Sequence, residues 1–188
     1  MPNWCYNTVH ITGGKNILDK LQKIVKSEDR EFDFDKIIPQ PAIVNASPNS
    51  ISIKERESYH GYSWYDWRCE HWNTKWNAAE IFVDRDYNEL TYRFNTAWDV
   101  PWPVLIEITQ QFEELDFEFV IDYEDYYSSP SYRVVIENGK LVYFEEKKHV
   151  YEENEDGDAI DHSDKEEWIA VDSSLKDKLI KLIDTKFR

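Results

Sequence analysis

The chain is poor in the materials from which phosphate-binding and catalytic loops are usually built. Its 188 residues include only five glycines, and no P-loop, dinucleotide fingerprint, G-x-S-x-G elbow or H-E-x-x-H helix occurs in it. Two cysteines, Cys5 and Cys69, are too few for a disulfide framework and suit free, buried thiols in a reducing compartment. No apolar run approaches the roughly 18 residues that a membrane helix needs. The opening Met1-Pro2-Asn3-Trp4-Cys5-Tyr6-Asn7 lacks the basic and apolar regions of a secretory signal. A soluble, cytoplasmic protein is therefore expected, acting in the host cytoplasm if a phage encodes it. Basic residues are scarce too: 22 Lys and Arg stand against 38 Asp and Glu, a formal charge of −16. Phosphate backbones need clustered Lys and Arg, so direct binding of DNA or RNA is not expected.

The acidity is segregated. Twenty of the acidic residues fall between Glu107 and Glu167, opposed only by Arg133, Lys140, Lys147, Lys148 and Lys165. Nearly the whole net charge lies there, so one strongly negative side and one nearly neutral side are expected, a field that attracts cationic surfaces. What the chain has in abundance is aromatic: eight Trp, twelve Tyr and nine Phe, enough bulky apolar surface for a real core in a chain of one-domain size.

Periodicity orders the elements. Trp4 to Thr12 alternates as a strand, Gly13-Gly14 breaks it, and Ile17, Leu21, Ile24 and Val25 recur at helical spacing. Phe32 to Asp35 reads as a short strand ended by Pro39 and Pro41, and a long turn-rich excursion follows to Tyr62. Trp64, Trp67, Trp72 and Trp76 then mark a partly helical aromatic segment. Two strands, about Ala79–Arg85 and Glu89–Ala97, join at Tyr87-Asn88. A helix opens around Asp99 to Pro103, where proline is tolerated, and Asp116 to Tyr123 is another strand. The order β-α-β-β-α-β is the split βαβ pattern of ferredoxin-like folds. Ser131–Glu137 and Lys140–Val150 flank Asn138-Gly139, the strongest short hairpin signal. Leu175, Leu179, Leu182, Ile183 and Phe187 mark a closing helix, capped by Asp172 or Ser173. The expected fold is α+β. A ferredoxin-like domain over residues 1–125 carries an aromatic-rich insertion at about 35–78. Residues 126–188 add an acidic hairpin, an acidic loop and a helix packed on the same domain.

Four segments carry a family likeness. Pro2-Asn3-Trp4-Cys5-Tyr6-Asn7, Phe34-Asp35-Lys36-Ile37-Ile38-Pro39, Trp72-Asn73-Thr74-Lys75-Trp76-Asn77-Ala78 and Phe94-Asn95-Thr96-Ala97-Trp98 occur in that order. Together they resemble the YubB-type ferredoxin-like domain family of bacteriophages, prophages and plasmids, over roughly residues 1 to 125. The resemblance implies a ferredoxin-like fold and a mobile-element origin, and it brings no assigned chemistry. Accessory genes of this kind often encode inhibitors of host defence.

Four constellations compete for a function. Asn3, Trp4, Asn7, Trp72, Asn73, Lys75, Trp76 and Trp98, with Asn77, Asn95 and Trp102 nearby, form either a stacking pocket for a planar ligand or the packing of the excursion onto the sheet. Cys5, His10, Cys69 and His71 lack the paired short spacing of a zinc site, and Cys5 and His10 face opposite sides of one strand. Glu152 to Asp158 resembles a calcium loop but has Ser163 where a bidentate Glu is required, so a solvated loop is expected and no cofactor is.

The fourth is an acidic face of Glu118, Asp122, Glu124, Asp125, Glu145, Glu146, Glu152, Glu153, Glu155, Asp156 and Asp158. Its outward strand positions would stand about 6.6 to 7 Å apart, loosely like phosphates. The expected function is non-enzymatic. The acidic face binds a host protein with a basic, nucleic-acid-binding surface and inhibits it, in the manner of an anti-CRISPR or anti-restriction protein. The alternative is sequestration of a small molecule or nucleotide in the Trp/Asn pocket.

Overall fold

The computed structural model describes residues 3–45, 63–125, 129–149, 152–153, 159–160, 168–170 and 174–185. Strand β1 (Trp4–Thr12) leads into helix α1 (Lys15–Val25), followed by single helical turns α2 (Phe34–Ile37) and α3 (Ala42–Asn45) and helix α4 (Trp64–His71). The hairpin β2 (Ala79–Arg85) and β3 (Glu89–Ala97) precedes α5 (Trp102–Gln111) and β4 (Asp116–Tyr123). Strands β5 (Ser131–Glu137), β6 (Lys140–His149), β7 (Glu152–Glu153), β8 (Ala159–Ile160) and β9 (Trp168–Ala170) and helix α6 (Ser174–Asp184) complete the chain.

One antiparallel sheet runs β2-β3-β1-β4-β5-β6-β9, six long strands and a three-residue edge. Its first four are the split βαβ arrangement, with β1 central between β3 and β4. The closing hairpin widens the same sheet beside β4. At its turn Asn138 (φ 50°) and Gly139 (φ 67°) both take the left-handed conformation that a two-residue type I′ hairpin demands.

Alternation divides the sheet into two faces. Cys5, Val9 and Ile11 of β1, Leu90, Tyr92 and Phe94 of β3, and Phe117, Phe119 and Ile121 of β4 are buried. They pack beneath Leu18, Leu21 and Val25 of α1 and Val104, Leu105 and Ile108 of α5. Helix α6 lies along α5, where Gln110 Nε2 donates to the carbonyls of Leu182 and Ile183 at 2.9 Å. Gly13 is needed where β1 meets this layer, since a Cβ there would sit 2.3 Å from Leu115 Cδ2. The opposite sheet face carries Thr8, His10, Arg93, Glu118 and Arg133 and is open among the described residues.

The expected strand at Phe32–Asp35 is not formed. Asp33 instead caps α2, its carboxylate accepting the Asp35 N–H at 3.0 Å and the Asn77 amide at 2.7 Å. A cap is the preferred use of Asp before a helical turn. Phe32 and Phe34 still enter the core, with Phe32 stacked on Phe94 at 5.0 Å. Helix α5 begins at Trp102 with Pro103 in its first turn, and Asp99 stands outside it, accepting the Val100 N–H and the Tyr123 hydroxyl. The expected cap of the closing helix at Asp172 or Ser173 lies outside the described residues. Among the described residues no helix is long and apolar enough to cross a membrane.

Candidate functional site

Burial removes two members from the expected Trp/Asn pocket. Asn7 shares its parity with Cys5 and Val9 and is 2% exposed. Its amide donates to the carbonyls of Cys5 and Phe94 and to Thr96 Oγ1 at 3.0, 3.3 and 2.9 Å. Trp72 is 1% exposed, donates Nε1–H to the Ile38 carbonyl at 3.0 Å, and meets Phe34 and Trp67 edge-on. Both serve the core: an amide or indole satisfied inside the protein is not available to a ligand.

The remaining members converge on the surface. Helix α4 starts at a capping box, Ser63 with Asp66, and ends at His71, and the chain beyond Trp72 leads to the exposed Trp76. Trp76 lies 6.1 Å from Trp4, and Tyr65 meets Trp98 edge-on at 6.3 Å. Lys75 Nζ sits among three rings, 4.8 Å from Trp76, 5.2 Å from Trp98 and 5.9 Å from Tyr65. Trp76, Trp98 and Tyr65 are 36%, 45% and 38% exposed, and Tyr6 on the same side of β1 is 43% exposed.

The backbone here is strained. Asn73 and Trp98 have φ of 61° and 75°; Asn tolerates the left-handed region, but a bulky Trp is a genuine outlier. Cross-links hold the two loops in place. Thr74 Oγ1 donates to the Ala97 carbonyl at 2.9 Å, Asn73 Nδ2 to the Val100 carbonyl at 2.8 Å, and the Trp98 N–H to the Asn3 carbonyl at 2.9 Å. Strain of this kind persists where neighbours over-determine it, and such places cluster at functional surfaces.

The acidic residues divide by strand parity. Glu118 and Asp122 lie on the open face of β4, and Glu145 on that of β6. Each has a partner: Glu118 binds Arg133 Nε at 2.6 Å, Asp122 accepts from Ser131 Oγ at 2.8 Å, and Glu145 lies 3.2 Å from Lys147 Nζ. Glu146 departs from the expected face. It stands opposite Tyr132 on the inward side, is 7% exposed, and its Oε2 has no hydrogen-bond partner among the described residues. Consecutive strand residues point to opposite faces, so Glu145 and Glu146 cannot share one. Glu124 is exposed where β4 ends and accepts the Trp4 N–H at 2.9 Å. Asp125 is half-buried beside it. Glu152 and Glu153 form a short ladder with β8, whereas Glu155, Asp156 and Asp158, and with them most of the calcium-like loop, lie outside the described residues.

These placements bring aromatics and carboxylates together at one end of the open sheet face. Tyr6 is the register partner of Asn95 on one side and Asp122 on the other. Asn95 Nδ2 holds Glu80 Oε2 at 2.7 Å, and Glu124 joins Trp4. Rings of Trp4, Tyr6, Trp76 and Trp98 are thus bordered by Glu80, Asp122 and Glu124. Tyr6, Tyr65 and Glu80 were not expected in a site. Tyr6 could have been found from its outward parity beside Trp4.

The thiols and imidazoles do not assemble. Cys5 is fully buried, and burial pushes its thiol up to about 12 despite a hydrogen bond with Thr96. His10 pairs with Thr91 Oγ1 on the open face, and His71 stacks on Trp67 at 4.3 Å. Among the described residues no group of three or more His, Cys, Asp or Glu could hold a metal ion.

A polar cavity of about 510 Å³ adjoins the aromatic cluster, lined by Arg30, Asp33, Gln40, Arg68, Trp76 and Asn77 among others. Arg68 Nε donates to Gln40 Oε1 at 2.7 Å, and its guanidinium stacks between Trp64 and Trp72. Arg30 donates to the Ala78 carbonyl at 2.7 Å.

Residues 71–171, more than half of the chain, match the family model described as a ferredoxin-like domain in Api92-like protein. The fold is also similar to the crystal structure of a protein api92 from Yersinia pseudotuberculosis. The TM-score is 0.52 at 11% sequence identity, over 77% of this chain and 97% of that one. At that identity the likeness shows the fold alone. No curated protein matches the chain.

Proposed function

The chain belongs to the family of ferredoxin-like domains in Api92-like proteins, and from that premise we propose that it is a non-catalytic binding protein. Its partner is a host protein with a basic, nucleic-acid-binding surface, which it blocks in the host cytoplasm. The resemblance to the YubB-type ferredoxin-like domain family supports a phage, prophage or plasmid origin, and such an origin favours a target in host defence against foreign DNA.

One observation carries the reading: exposed Trp and Tyr side chains stand among carboxylates at one end of an open sheet face. Trp, Tyr and Arg dominate the energetics of protein interfaces, and rings beside acids suit a partner's Arg and Lys, whose cations stack on the rings while their charge is neutralised. The wider negative field steers a basic partner to the site. The carboxylates farther along the sheet are already paired with Arg133 and Lys147, so contact centres on Asp122, Glu124 and the rings.

The test is capture from a host lysate at two ionic strengths, comparing wild type with an Asp122→Asn/Glu124→Gln variant. The expected partner is a nucleic-acid-binding protein retained at low salt, released at high salt, displaced by duplex DNA and bound weakly by the variant. A partner whose binding ignores salt and DNA would refute the reading.

A second reading draws support from the polar cavity. Arg30 and Arg68 line it beside the Trp76 ring, a combination that suits a nucleotide's phosphate and base. Under that reading Arg68→Ala abolishes nucleotide binding in equilibrium dialysis, and Glu124→Gln does not affect it.

A further inference from the structure

We propose that the rings around Lys75 form a cation-binding cage that accepts an alkylammonium group, the side chain of a partner's lysine, and that Lys75 fills this cage in the free protein. The inference rests on the reading above that the partner is basic, and it names the group recognised.

The geometry already shows an ammonium in place. Lys75 Nζ lies within 6 Å of the Trp76, Trp98 and Tyr65 ring centroids, the range in which a ring's quadrupole attracts a cation. Among the described residues no carboxylate forms an ion pair with it, although the chain has 38 acidic residues. Among the described residues it is the rings that hold this charge.

The cage is shaped in advance. Trp4 backs Trp76, Tyr65 meets Trp98 edge-on, and the Thr74–Ala97 and Asn73–Val100 hydrogen bonds clamp the two loops that carry the rings. Trp98 is held at φ 75° to complete it. A strained Trp that buries its ring would be explained by packing; this ring stays 45% exposed, so its aim is toward the surface.

Lys75 is suited to leave. It is only half-buried, and its four-carbon stem can carry the ammonium into water without moving the backbone. Exchanging one ammonium for another leaves the ring contacts nearly unchanged. The resident lysine therefore lowers the affinity for stray cations and yields to a partner that brings flanking contacts.

Tetramethylammonium titrated into the full chain, read by tryptophan fluorescence, tests this without any protein partner. Lys75→Met is expected to bind it roughly tenfold more tightly than wild type, and adding Trp98→Gly to Lys75→Met should remove the gain. In wild type the Lys75 ε-methylene protons should be shifted upfield by the ring currents. Equal binding by wild type and Lys75→Met overturns the proposal. So does absence of binding to a Lys75→Met protein with native near-ultraviolet circular dichroism, or an unshifted ε-methylene signal in wild type. A cage that binds the probe while lysate capture fails would instead count against the basic host partner, which separates the two readings.

Discussion

Trp98 gives its backbone N–H to the carbonyl of Asn3 at 2.9 Å while its own φ is 75°. The bond ties the end of β3 to the start of β1, where Trp4 packs on Trp76. A bulky residue in left-handed conformation costs about 1–2 kcal/mol, and the sheet end is organised around keeping it there.

Substitutions at this residue separate strain from packing. Trp98→Gly should be more stable than Trp98→Ala, the reverse of the usual order, because glycine adopts the left-handed region without cost and alanine does not. Both should weaken partner binding by roughly 2 kcal/mol or more if the ring is an interface anchor. Urea midpoints and binding isotherms of the two variants check this; Ala at or above Gly in stability refutes it.

Glu146 and Glu124 should behave oppositely. Glu146 is buried with an oxygen that has no partner among the described residues, so Glu146→Gln should change stability in the favourable direction by about 1 kcal/mol. Its effect on binding at low salt should be nil. Glu124→Gln keeps an acceptor for the Trp4 N–H and should leave stability unchanged while reducing binding at low salt.

Alkali should unfold the protein through its buried acids. Burial pushes Cys5 up to about 12 from 9.0, and burial likewise raises the phenols of Tyr92, Tyr123 and Tyr132. Each group binds its proton more tightly folded than unfolded, so their contributions are complete below the unfolded values. Stability should then fall as pH rises from about 9 toward 12. Urea midpoints across that window check the slope, and Cys5 should resist alkylation at pH 8 until the chain unfolds.

Removing the Asn7 amide should cost about 1–3 kcal/mol, since the Cys5 and Phe94 carbonyls and Thr96 Oγ1 lose a buried donor. Asn7→Ala should lower the urea midpoint with an unchanged m-value. A loss below about 0.5 kcal/mol would show that water replaces the amide.

The strands and long helices were legible because their signals are local. Alternation in β1 and β4, the Asn138-Gly139 turn and helical spacing after Lys15 each place an element from its own residues. Parity also foretold the open and buried faces, and read strictly it assigns Asn7 to the core, since Cys5 and Val9 flank it on that side. Asp33 misled as part of a strand because its alternation with Phe32 and Phe34 hides its use as a cap on the Asp35 N–H, which the Asn77 amide, 44 positions away, reinforces.

Composition settled the negative charge and the supply of aromatics for a core, and periodicity settled the order of α and β elements, a consequence of neighbours along the chain. Neither could say that Trp72 is covered while Trp76 and Trp98 face water. A loop ring's exposure depends on which distant backbone clamps it, here Ala97 and Val100 on Thr74 and Asn73, and those contacts exist only once the sheet has closed.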